Sequence, residues 1–241
     1  MRLAIISDIH GNLVALEAVL TDLKTRAPDA VVNLGDCVTS PLWPRETFEF
    51  LATLKIPTVR GNHDRWLAEM SADEKSPTVR FAHDVLTAAQ RRELGALPAT
   101  IQIDADILAV HGTLSSDVAY LLEEKINDRL SLVTKETLAE RLGATTAGLV
   151  LCGHSHLQHM AYAPGRRLVV NPGSVGCPRY ADNNDRHLAE AGSPQAHYAV
   201  ATRRGARWSV DLIALDYDWS PVAQRARDNG RPDWAVGFLA E

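Results

Sequence analysis

Histidine, aspartate and asparagine side chains recur in five short motifs that are spread along the sequence. The motifs are Asp8-Ile9-His10, Gly35-Asp36, Gly61-Asn62-His63-Asp64, His111-Gly112 and Gly153-His154-Ser155-His156. Imidazole nitrogens, together with carboxylate and amide oxygens, are ligands that borderline divalent metal ions accept. Two such ions roughly 3.5–4 Å apart can hold both sides of an in-line displacement at phosphorus. Five such motifs in series therefore predict a two-metal site.

Each motif follows a short apolar run. These runs are Leu3–Ser7, Ala30–Leu34, Thr58–Arg60, Ile107–Val110 and Leu149–Cys152. Apolar runs of this length that end in glycine turns indicate buried strands. Because α/β folds place their ligands beyond the carboxyl ends of the strands, we expect the five motifs to meet at one edge of a sheet.

One carboxylate in such a site has to bridge the two ions. Asp36 is the natural bridge, because it is the lone carboxylate at its strand end. The other ligand candidates divide into two sets. Asp8 and His10 suit the first metal together with one histidine of the final motif, and Asn62 and His111 suit the second together with the other histidine. The residue types alone leave the order of that last pair open.

His63 remains outside both ligand sets, although it follows Asn62 directly and precedes Asp64. A histidine with a carboxylate at hand suits proton donation, because the neighbour can set its orientation and its pKa. His63 is therefore the candidate general acid. The similar dipeptide His83-Asp84 lies in a stretch with a helical pattern and no glycine turn, so we interpret it as structural or at most pocket-lining.

The order of the five motifs closely resembles that of the calcineurin-like metallophosphoesterases, in particular their compact prokaryotic branch of predicted phosphoesterases. The resemblance extends from the first strand to the turn Asn171-Pro172-Gly173-Ser174, about three-quarters of the chain. It implies an α/β fold, a four-layer α/β/β/α sandwich with mixed sheets. We expect a single domain over residues 1–241, with residues 66–98 long enough to form a helical cap over the pocket.

The resemblance also implies a role for each motif residue. It places Asp8, His10, Asp36 and His156 on the first metal, and Asp36, Asn62, His111 and His154 on the second. His63 would protonate the leaving group, with Asp64 orienting it. Two divalent metal ions are the implied cofactors. Manganese is the expected activating ion, with iron, nickel, zinc and cobalt as alternatives.

Hydrolysis of a phosphodiester without a covalent enzyme intermediate is the main functional hypothesis, with a hydroxide that bridges the two metals as nucleophile and His63 as acid. A phosphomonoesterase, a protein phosphatase and a dinucleoside-polyphosphate hydrolase are the alternatives within the enzyme class. A non-catalytic interaction scaffold is the alternative from another class, because relatives such as the retromer scaffold subunit have lost catalytic residues. Here every ligand position is filled, which argues against a scaffold.

Two further residues are candidate substrate contacts. Ser174 belongs to the turn at residues 171–174, which suits either a backbone nest for a phosphate or an ordinary tight turn. Arg179 lies just beyond it, and a guanidinium can bind a phosphate through two hydrogen bonds. Arg65 follows the acid motif, and we interpret it as a helix-surface residue.

Composition narrows the class of protein and its partners. The chain has 241 residues and a net charge of −5, so nothing indicates a nucleic-acid surface, and a small phosphoester or a nucleotide is the expected substrate.

Apolar runs are too short for a membrane span, and Met1 leads almost directly into a strand, so no signal peptide is expected. Cys37, Cys152 and Cys177 lack disulfide spacing, which favours the cytoplasm. Of these, Cys37 and Cys152 are interpreted as small buried residues. Oligomeric state is left open.

Elsewhere the sequence pattern predicts alternating strands and helices in the first part of the chain and mainly strands after Gly148. Helices are expected around Leu13–Leu23, Arg45–Leu54, Arg80–Leu94, Lys135–Leu142, Asp218–Asn229 and Arg231–Leu239. Further strands are expected at Pro57–Arg60, Thr100–Ile103, Gln158–Tyr162, Arg167–Val170, His197–Thr202 and Trp208–Ala214, with hairpin turns at Gly165 and Gly205. Trp219 and Trp234 are expected to pack against the sheet, with an oligomer interface as the alternative.

Overall fold

A computed structural model describes residues 1–71, 76–127, 129–181 and 188–238. Its helices are α1 (Leu13–Arg26), α2 (Pro44–Leu54), α3 (Asn62–Glu69), α4 (Pro77–Val85), α5 (Ala88–Gly95), α6 (Lys135–Leu142), α7 (Ser220–Asp228) and α8 (Pro232–Ala235). Its strands are β1 (Arg2–Ile6), β2 (Ala30–Asn33), β3 (Thr100–Asp104), β4 (Ile107–Val110), β5 (Glu123–Ile126), β6 (Arg129–Leu132), β7 (Leu149–Leu151), β8 (Gln158–Ala163), β9 (Arg167–Pro172), β10 (Arg179–Ala181), β11 (Leu188–Glu190), β12 (Ala196–Arg204) and β13 (Arg207–Leu215).

Two larger sheets dominate the architecture. The first has the order β13-β12-β1-β2, and the second has the order β3-β4-β7-β9-β8. β1 pairs in parallel with β2 and antiparallel with β12, while β4, β7 and β9 run parallel to one another between antiparallel neighbours. Both sheets are therefore mixed, as the resemblance implied.

The two sheets pack face to face. Leu3 and Ile5 of β1 belong to the same buried cluster as Leu149 and Leu151 of β7. Because successive side chains of a strand point to opposite faces, these alternate residues fill the space between the sheets, and the residues between them face outward.

Helices cover the outer face of each sheet. Ile6 of β1 shares a cluster with Leu16 of α1, and Val150 of β7 shares a cluster with Leu138 of α6. The predicted α/β class and the four layers α/β/β/α are therefore confirmed. The turns predicted at Gly165 and Gly205 are also present, since β8 pairs antiparallel with β9 and β12 with β13.

Three details of the predicted secondary structure are wrong. The strand expected at Pro57–Arg60 is reduced to one parallel bridge between Asn33 and Thr58, because the Arg60 N–H donates to the carbonyl of Pro98 instead (2.8 Å). The helix expected over Arg80–Leu94 is divided into α4 and α5. A reciprocal pair of hydrogen bonds between Thr87 and Gln90 caps the start of α5 and so begins a new helix. The hairpin of β5 and β6 was not predicted.

The C-terminal residues form a helical layer of their own. Trp219 and Trp234 pack with Leu42, Val222 and Phe238 in a cluster of the C-terminal helices, so the predicted contact with the sheet is wrong. The helix expected at Arg231–Leu239 consists of the short α8 and a 3-10 turn at Val236–Phe238, and Leu239 lies outside the described residues.

Helices also occupy the segment at residues 66–98 that we expected to form a cap. The last part of α3, all of α4 and all of α5 lie in it, and residues 72–75 are outside the described part of the chain. Across the ranges that the structure covers, every helix is too short or too polar to pass through a bilayer.

Candidate metal centre

The five motifs meet at the carboxyl ends of the inner strands. The N–H of Asp8, after β1, donates to the carbonyl of Gly35, after β2 (3.0 Å). The N–H of Gly153, after β7, donates to the carbonyl of His111, after β4 (2.7 Å). A third hydrogen bond joins the two sheets, because the N–H of His154 donates to Oδ2 of Asp8 (3.1 Å). The expected meeting of the motifs is confirmed.

Most of the motif residues that follow β1, β2 and β7 have left-handed backbone conformations. Positive φ angles occur at Asp8 (54°), His10 (46°), Asp36 (55°), His154 (70°) and His156 (62°). Residues with a Cβ atom seldom adopt this region, and its cost of about 1–3 kcal/mol each is tolerated only where surrounding contacts hold it. Backbone strain is therefore concentrated on the predicted ligands.

Two glycines of the motifs leave room for carboxylates. A Cβ atom on Gly61 would lie 2.1 Å from Oδ1 of Asp36, and one on Gly153 would lie 2.1 Å from Oγ of Ser7 and 2.8 Å from Oδ2 of Asp8. All three distances are shorter than a Cβ atom approaches another atom in real proteins, so the glycines permit the close packing of the loops around these carboxylates.

The first group of ligand atoms comprises those of Asp8, His10 and His156. Nε2 of His156 lies 3.4 Å from Oδ1 of Asp8 and 3.2 Å from Nε2 of His10. Nε2 of His10 lies 3.7 Å from Oδ2 of Asp36. Atoms bound to one metal at about 2.0–2.2 Å are separated by about 3–4 Å. The spacing is therefore that of side chains around a single ion.

The second group comprises the ligand atoms of His111, Asn62 and His154. Nε2 of His111 lies 3.0 Å from Oδ1 of Asn62 and 3.5 Å from Oδ2 of Asp36. The ligand atoms of Asp36, His111 and His154 all lie within 4.8 Å of one another. With Asp36, this group offers one carboxylate, one amide oxygen and two imidazoles.

Asp36 contacts both groups through one oxygen. Its Oδ2 is the atom that approaches His10 on one side and His111 on the other, while its Oδ1 accepts a hydrogen bond from the N–H of His63 (2.9 Å). The carboxylate is fixed by the backbone and presents its second oxygen between the two groups.

Backbone carbonyls set the tautomer of three of the histidines. Nδ1 of His10 contacts the carbonyl of Thr39 (2.9 Å), Nδ1 of His111 that of Leu34 (2.8 Å) and Nδ1 of His156 that of Cys177 (2.8 Å). A carbonyl only accepts, so each Nδ1 carries a proton, and in the neutral ring each Nε2 is then the nitrogen available to bind a metal ion. This second contact is typical of metal-binding histidine.

One carboxylate oxygen among the candidate ligand atoms has no hydrogen-bond partner within the described part of the chain. Oδ2 of Asp8 accepts from Ser7 Oγ (2.6 Å) and from the His154 N–H (3.1 Å). Oδ1 of Asp8 is buried and has no hydrogen-bond partner among the described residues. Buried polar atoms are rarely left unpaired without a cause, and a metal ion would satisfy this one. The residues present therefore fit divalent metal ions.

The aspartates and histidines of the site shift one another's pKa values, since each favours the charged form of its neighbour. Burial disfavours the charged form of Asp8, but the neighbouring His156 outweighs burial and lowers the pKa of Asp8 to about 2. His111 responds in the opposite direction. Burial alone would lower its pKa, yet Asp36 raises that pKa to about 9. Asp8 and Asp36 thus remain ionised at neutral pH, as metal ligands must.

His63 lies beside these groups without belonging to them. Its ring is 5.1 Å from that of His10, centroid to centroid, and its Nδ1 has no hydrogen-bond partner in the described ranges. Burial lowers the pKa of His63 to about 3. An anionic phosphate beside the ring would oppose this shift by Coulombic attraction.

Asp64 does not contact the ring that we expected it to orient. Its carboxylate accepts three backbone hydrogen bonds instead, from the N–H groups of Asp36 (2.9 Å), Cys37 (3.0 Å) and Gly61 (2.9 Å). Burial and the neighbouring charge of Asp36 raise the pKa of Asp64 to about 7. The direct orientation of His63 by Asp64 is therefore corrected: Asp64 fixes the loops that carry Asp36 and Asn62.

Ser174 is also structural in this geometry. Its hydroxyl donates to the carbonyl of Asp8 (2.7 Å) and accepts from the N–H of Cys177 (2.8 Å), and the side chain is buried. The same turn includes Asn171, which donates to the carbonyl of Gly153 (2.7 Å). The side chains of the turn thus support the loops of two ligand motifs, and the predicted contact of the turn's backbone with a substrate phosphate stays a prediction.

The two arginine expectations have different outcomes. Arg179 lines the cavity in front of the ligand groups, so its proposed contact with a substrate stays a prediction. Arg65 binds Asp117 through two hydrogen bonds (2.7 and 2.8 Å) and also contacts Glu69 of the same helix. Its predicted role on the helix surface is confirmed.

The three cysteines have different positions relative to the candidate ligands. Burial raises the pKa of the Cys37 and Cys152 thiols well above the ordinary value, which agrees with small buried residues. Cys177 was missed by sequence reasoning. Its Sγ lies within 4.8 Å of ligand nitrogens of His10 and His156. A lone cysteine between a turn and an arginine carries no spacing signal, so only the fold could place it there.

A cavity of about 640 Å³ opens in front of both groups. Its floor includes His10, Asp36, His63, His154 and His156. The start of α4, from Ser76 to Thr78, and the segment Arg231–Gly237 contribute walls. Cavities of roughly 300–1,000 Å³ hold small molecules.

Comparison with known proteins agrees with this geometry. The calcineurin-like phosphoesterase superfamily domain matches residues 1–191. The chain is similar to the uncharacterized protein MJ0912 of Methanocaldococcus jannaschii, with 25% identity over 256 residues that cover 96% of this chain and 94% of the relative.

Two solved structures share the fold. The metallophosphoesterase from Sphaerobacter thermophilus has a TM-score of 0.72 and 28% identity, and covers 98% of this chain and 97% of its own. The hypothetical protein PH1004 from Pyrococcus horikoshii OT3 has a TM-score of 0.76 and 19% identity, and the match covers 100% of this chain and 98% of that protein. Since the family model covers more than half of the residues, the chain belongs to the calcineurin-like phosphoesterase superfamily.

Proposed function

We propose that this protein hydrolyses small phosphodiesters at a site for two divalent metal ions. The position of Asp36 carries the proposal, because one of its oxygens lies 3.7 Å from Nε2 of His10 and 3.5 Å from Nε2 of His111. One oxygen between two nitrogen-rich groups is the arrangement expected of a bridging ligand.

The proposed ligand sets follow from the two groups. Asp8, His10, Asp36 and His156 would hold the first ion, and Asp36, Asn62, His111 and His154 would hold the second. When bound, such ions withdraw charge from phosphoryl oxygens and lower the pKa of a bound water. Manganese is proposed as the activating metal because mixed nitrogen and oxygen ligands accept it.

His63 is proposed as the general acid. It lines the cavity, and its ring lies 5.1 Å from that of the proposed ligand His10. Its N–H donates to Asp36, so the backbone at His63 is fixed relative to the proposed bridging carboxylate. This position suits delivery of a proton to the departing oxygen of an ester.

Small phosphodiesters are proposed over the alternatives because of the cavity. Walls from α4 and the C-terminal helices stand beside the ligand groups, which suits a small molecule better than a phosphorylated protein surface. A phosphomonoester remains the second candidate. The three free, buried cysteines support a reducing, cytoplasmic location as part of the same proposal.

Initial rates on two substrates test the proposal. With added Mn²⁺, the protein is expected to hydrolyse bis-p-nitrophenyl phosphate faster than p-nitrophenyl phosphate. A preference for the monoester would replace the diesterase with a phosphatase. Absence of turnover on both substrates with Mn²⁺, Fe²⁺, Ni²⁺, Zn²⁺ and Co²⁺ would contradict the proposed phosphodiesterase activity and favour a non-catalytic interaction scaffold.

A further inference from the structure

The C-terminal wall, residues Arg231–Phe238, places an aromatic face beside the proposed metal centre. Trp234 lines the cavity, and its ring centroid lies 6.5 Å from that of His10. The side chain is half-buried, so part of the indole is covered by protein and part faces the cavity. This wall lies beyond residues 1–191, which the superfamily domain matches, so membership of the family assigns it no role.

The wall is held in place by contacts with two other parts of the molecule. Ala235 and Phe238 are buried in the same cluster as Leu42 and Val222. The side chain of Asn229, just before the wall, donates to the carbonyl of Pro41 (2.7 Å). The wall is thereby fixed to the loop that follows Asp36, which connects its position to that of the ligand groups.

Thr78 joins the wall to α4 across the cavity. Its hydroxyl oxygen accepts from Nε1 of Trp234 (3.2 Å) and from Nη1 of Arg231 (3.0 Å). Arg231 also binds the carboxylate of Asp233 through two hydrogen bonds (2.9 and 2.6 Å). The indole is therefore held by its own N–H and by a braced neighbour, so little rotamer freedom would be lost on binding a planar group.

The other lining of the cavity indicates what such a planar group would be attached to. Arg179 contributes a cationic side chain, Arg231 lines the cavity as an ion pair with Asp233, and Tyr180 contributes a second aromatic ring, 4.5 Å from that of His156. A volume of about 640 Å³ is enough for a phosphate together with a sugar and a ring system. Phosphoesters that combine these three parts are nucleotides.

We propose that Trp234 of the C-terminal wall stacks on the nucleobase of a nucleoside phosphoester and so selects the substrate class of this site. The inference rests on the proposed function for the identity of the phosphate end. Stacking of a base on an aromatic side chain contributes roughly 1–3 kcal/mol, which is roughly a 5–150-fold change in affinity. Trp234 is a specificity residue in this proposal and takes no part in the chemistry.

The test compares two ligands that differ only in the base. Titration calorimetry measures the affinity of the Mn²⁺-loaded protein for AMP and for ribose 5-phosphate. The wild-type protein is expected to prefer AMP by about tenfold. Trp234→Leu retains apolar packing without a ring and should reduce that preference to nearly one, while the affinity for ribose 5-phosphate stays the same. Trp219→Leu is the matched control, because Trp219 packs in the same cluster without lining the cavity.

Three outcomes separate this inference from the proposed function. An equal affinity of wild-type protein for the two ligands would overturn the inference, as would a preference that persists in Trp234→Leu. Since Trp234→Leu could disturb the wall, Trp234→Phe provides a second measurement: it keeps a ring but cannot donate to Thr78, so it should retain more of the preference than Trp234→Leu does. Diester hydrolysis without an AMP preference would remove only the inference, and an AMP preference without any hydrolysis would remove only the proposed function.

Discussion

The floor and the C-terminal wall of the cavity are built in different ways. The floor consists of His63 at the start of α3 and of residues at the ends of β1, β2 and β7, most of which are buried and have strained backbone conformations. The wall consists of a four-residue helix and a 3-10 turn that depend on side-chain hydrogen bonds to Thr78. Strand ends can hold atoms within the tolerance that metal ions require, whereas a short surface segment can differ without disturbing the sheets.

Substitutions in the floor and in the C-terminal wall should therefore have different effects. Changes in the floor should affect every substrate, because they alter the metal ions or the proton donor. Changes in the wall should affect the choice of ligand and leave the metal ions in place. The predictions below test that division, beginning with the largest effect.

Asp36→Ala should have the largest effect. It removes the one carboxylate that approaches both ligand groups, so metal content and turnover should fall together. The loss of activity should exceed the roughly 10–100-fold typical of residues that only support ligands. Metal per chain is measured by inductively coupled plasma mass spectrometry. Asp84→Ala, at an exposed carboxylate, is the control, and two metals per chain in Asp36→Ala would contradict a bridging role.

His63→Ala should separate proton donation from metal binding. Turnover of bis-p-nitrophenyl phosphate should fall by something on the order of 10²–10⁴, with metal content unchanged because His63 is outside both ligand groups. His83→Ala is a matched control, since His83 also precedes an aspartate but lies on α4. Unchanged turnover in His63→Ala would remove the acid role.

Thr78→Val should weaken the wall alone. The substitution preserves shape but removes the oxygen that accepts from Trp234 and Arg231. A net hydrogen-bond contribution of about 0.5–1.5 kcal/mol predicts a loss of roughly 2–10-fold in the preference for AMP over ribose 5-phosphate. Metal content should not change. Thr53→Val, at an exposed position of α2, is the control; a loss of metal in Thr78→Val would show that floor and wall are not separable.

The smallest effect is expected behind the floor, where α1 covers the first sheet. The Asp22 carboxylate accepts from Arg26 (2.5 Å) and from the Tyr198 hydroxyl. Although burial acts in the opposite direction, these partners hold the pKa of Asp22 below its usual value. A depressed pKa stabilises the folded state above the unfolded value of 3.8, and this stabilisation is lost as pH falls through the folded value.

Asp22→Asn should therefore lower the free energy of unfolding by up to about 1 kcal/mol at pH 7 and by less at pH 3, which is below the unfolded value. Urea unfolding at the two pH values measures the difference. Asp29→Asn, at a more exposed carboxylate, is the control. An equal loss of stability at both pH values would show that the contribution of Asp22 is not ionic.

The strand-end residues could be identified from sequence because their signal is local. Glycine turns and polar residues directly after apolar runs mark the carboxyl ends of strands, and the order of the motifs then indicates the family. Asp8, Asp36 and His111 were therefore predicted to approach one another from runs of fewer than ten residues each. The four layers were implied by the resemblance to that family, and in the structure the alternation of residues along β1 determines which side chains face the second sheet.

Other features depended on contacts between residues far apart in the sequence. Asp64 was expected to orient His63 because it is the next residue, but its carboxylate is used by the N–H groups of Asp36, Cys37 and Gly61. The hydroxyl of Ser174 donates to the carbonyl of Asp8, 166 residues earlier, and the sequence around the turn gave no sign of this partner. Adjacency in sequence does not determine which way a side chain points once a loop folds back.

The sequence by itself determined the types of the candidate ligands, their order and the strand ends that carry them, since each of these depends on a few neighbouring residues. Only the tertiary structure decided that Oδ2 of Asp36 approaches both groups, that Cys177 lies near His10 and His156, and that Trp234 stands beside the floor. Those positions arise from sheet packing and from the docking of the C-terminal helices on the loop at Leu42. The energies involved are sums over many distant contacts, so no short stretch of sequence encodes them.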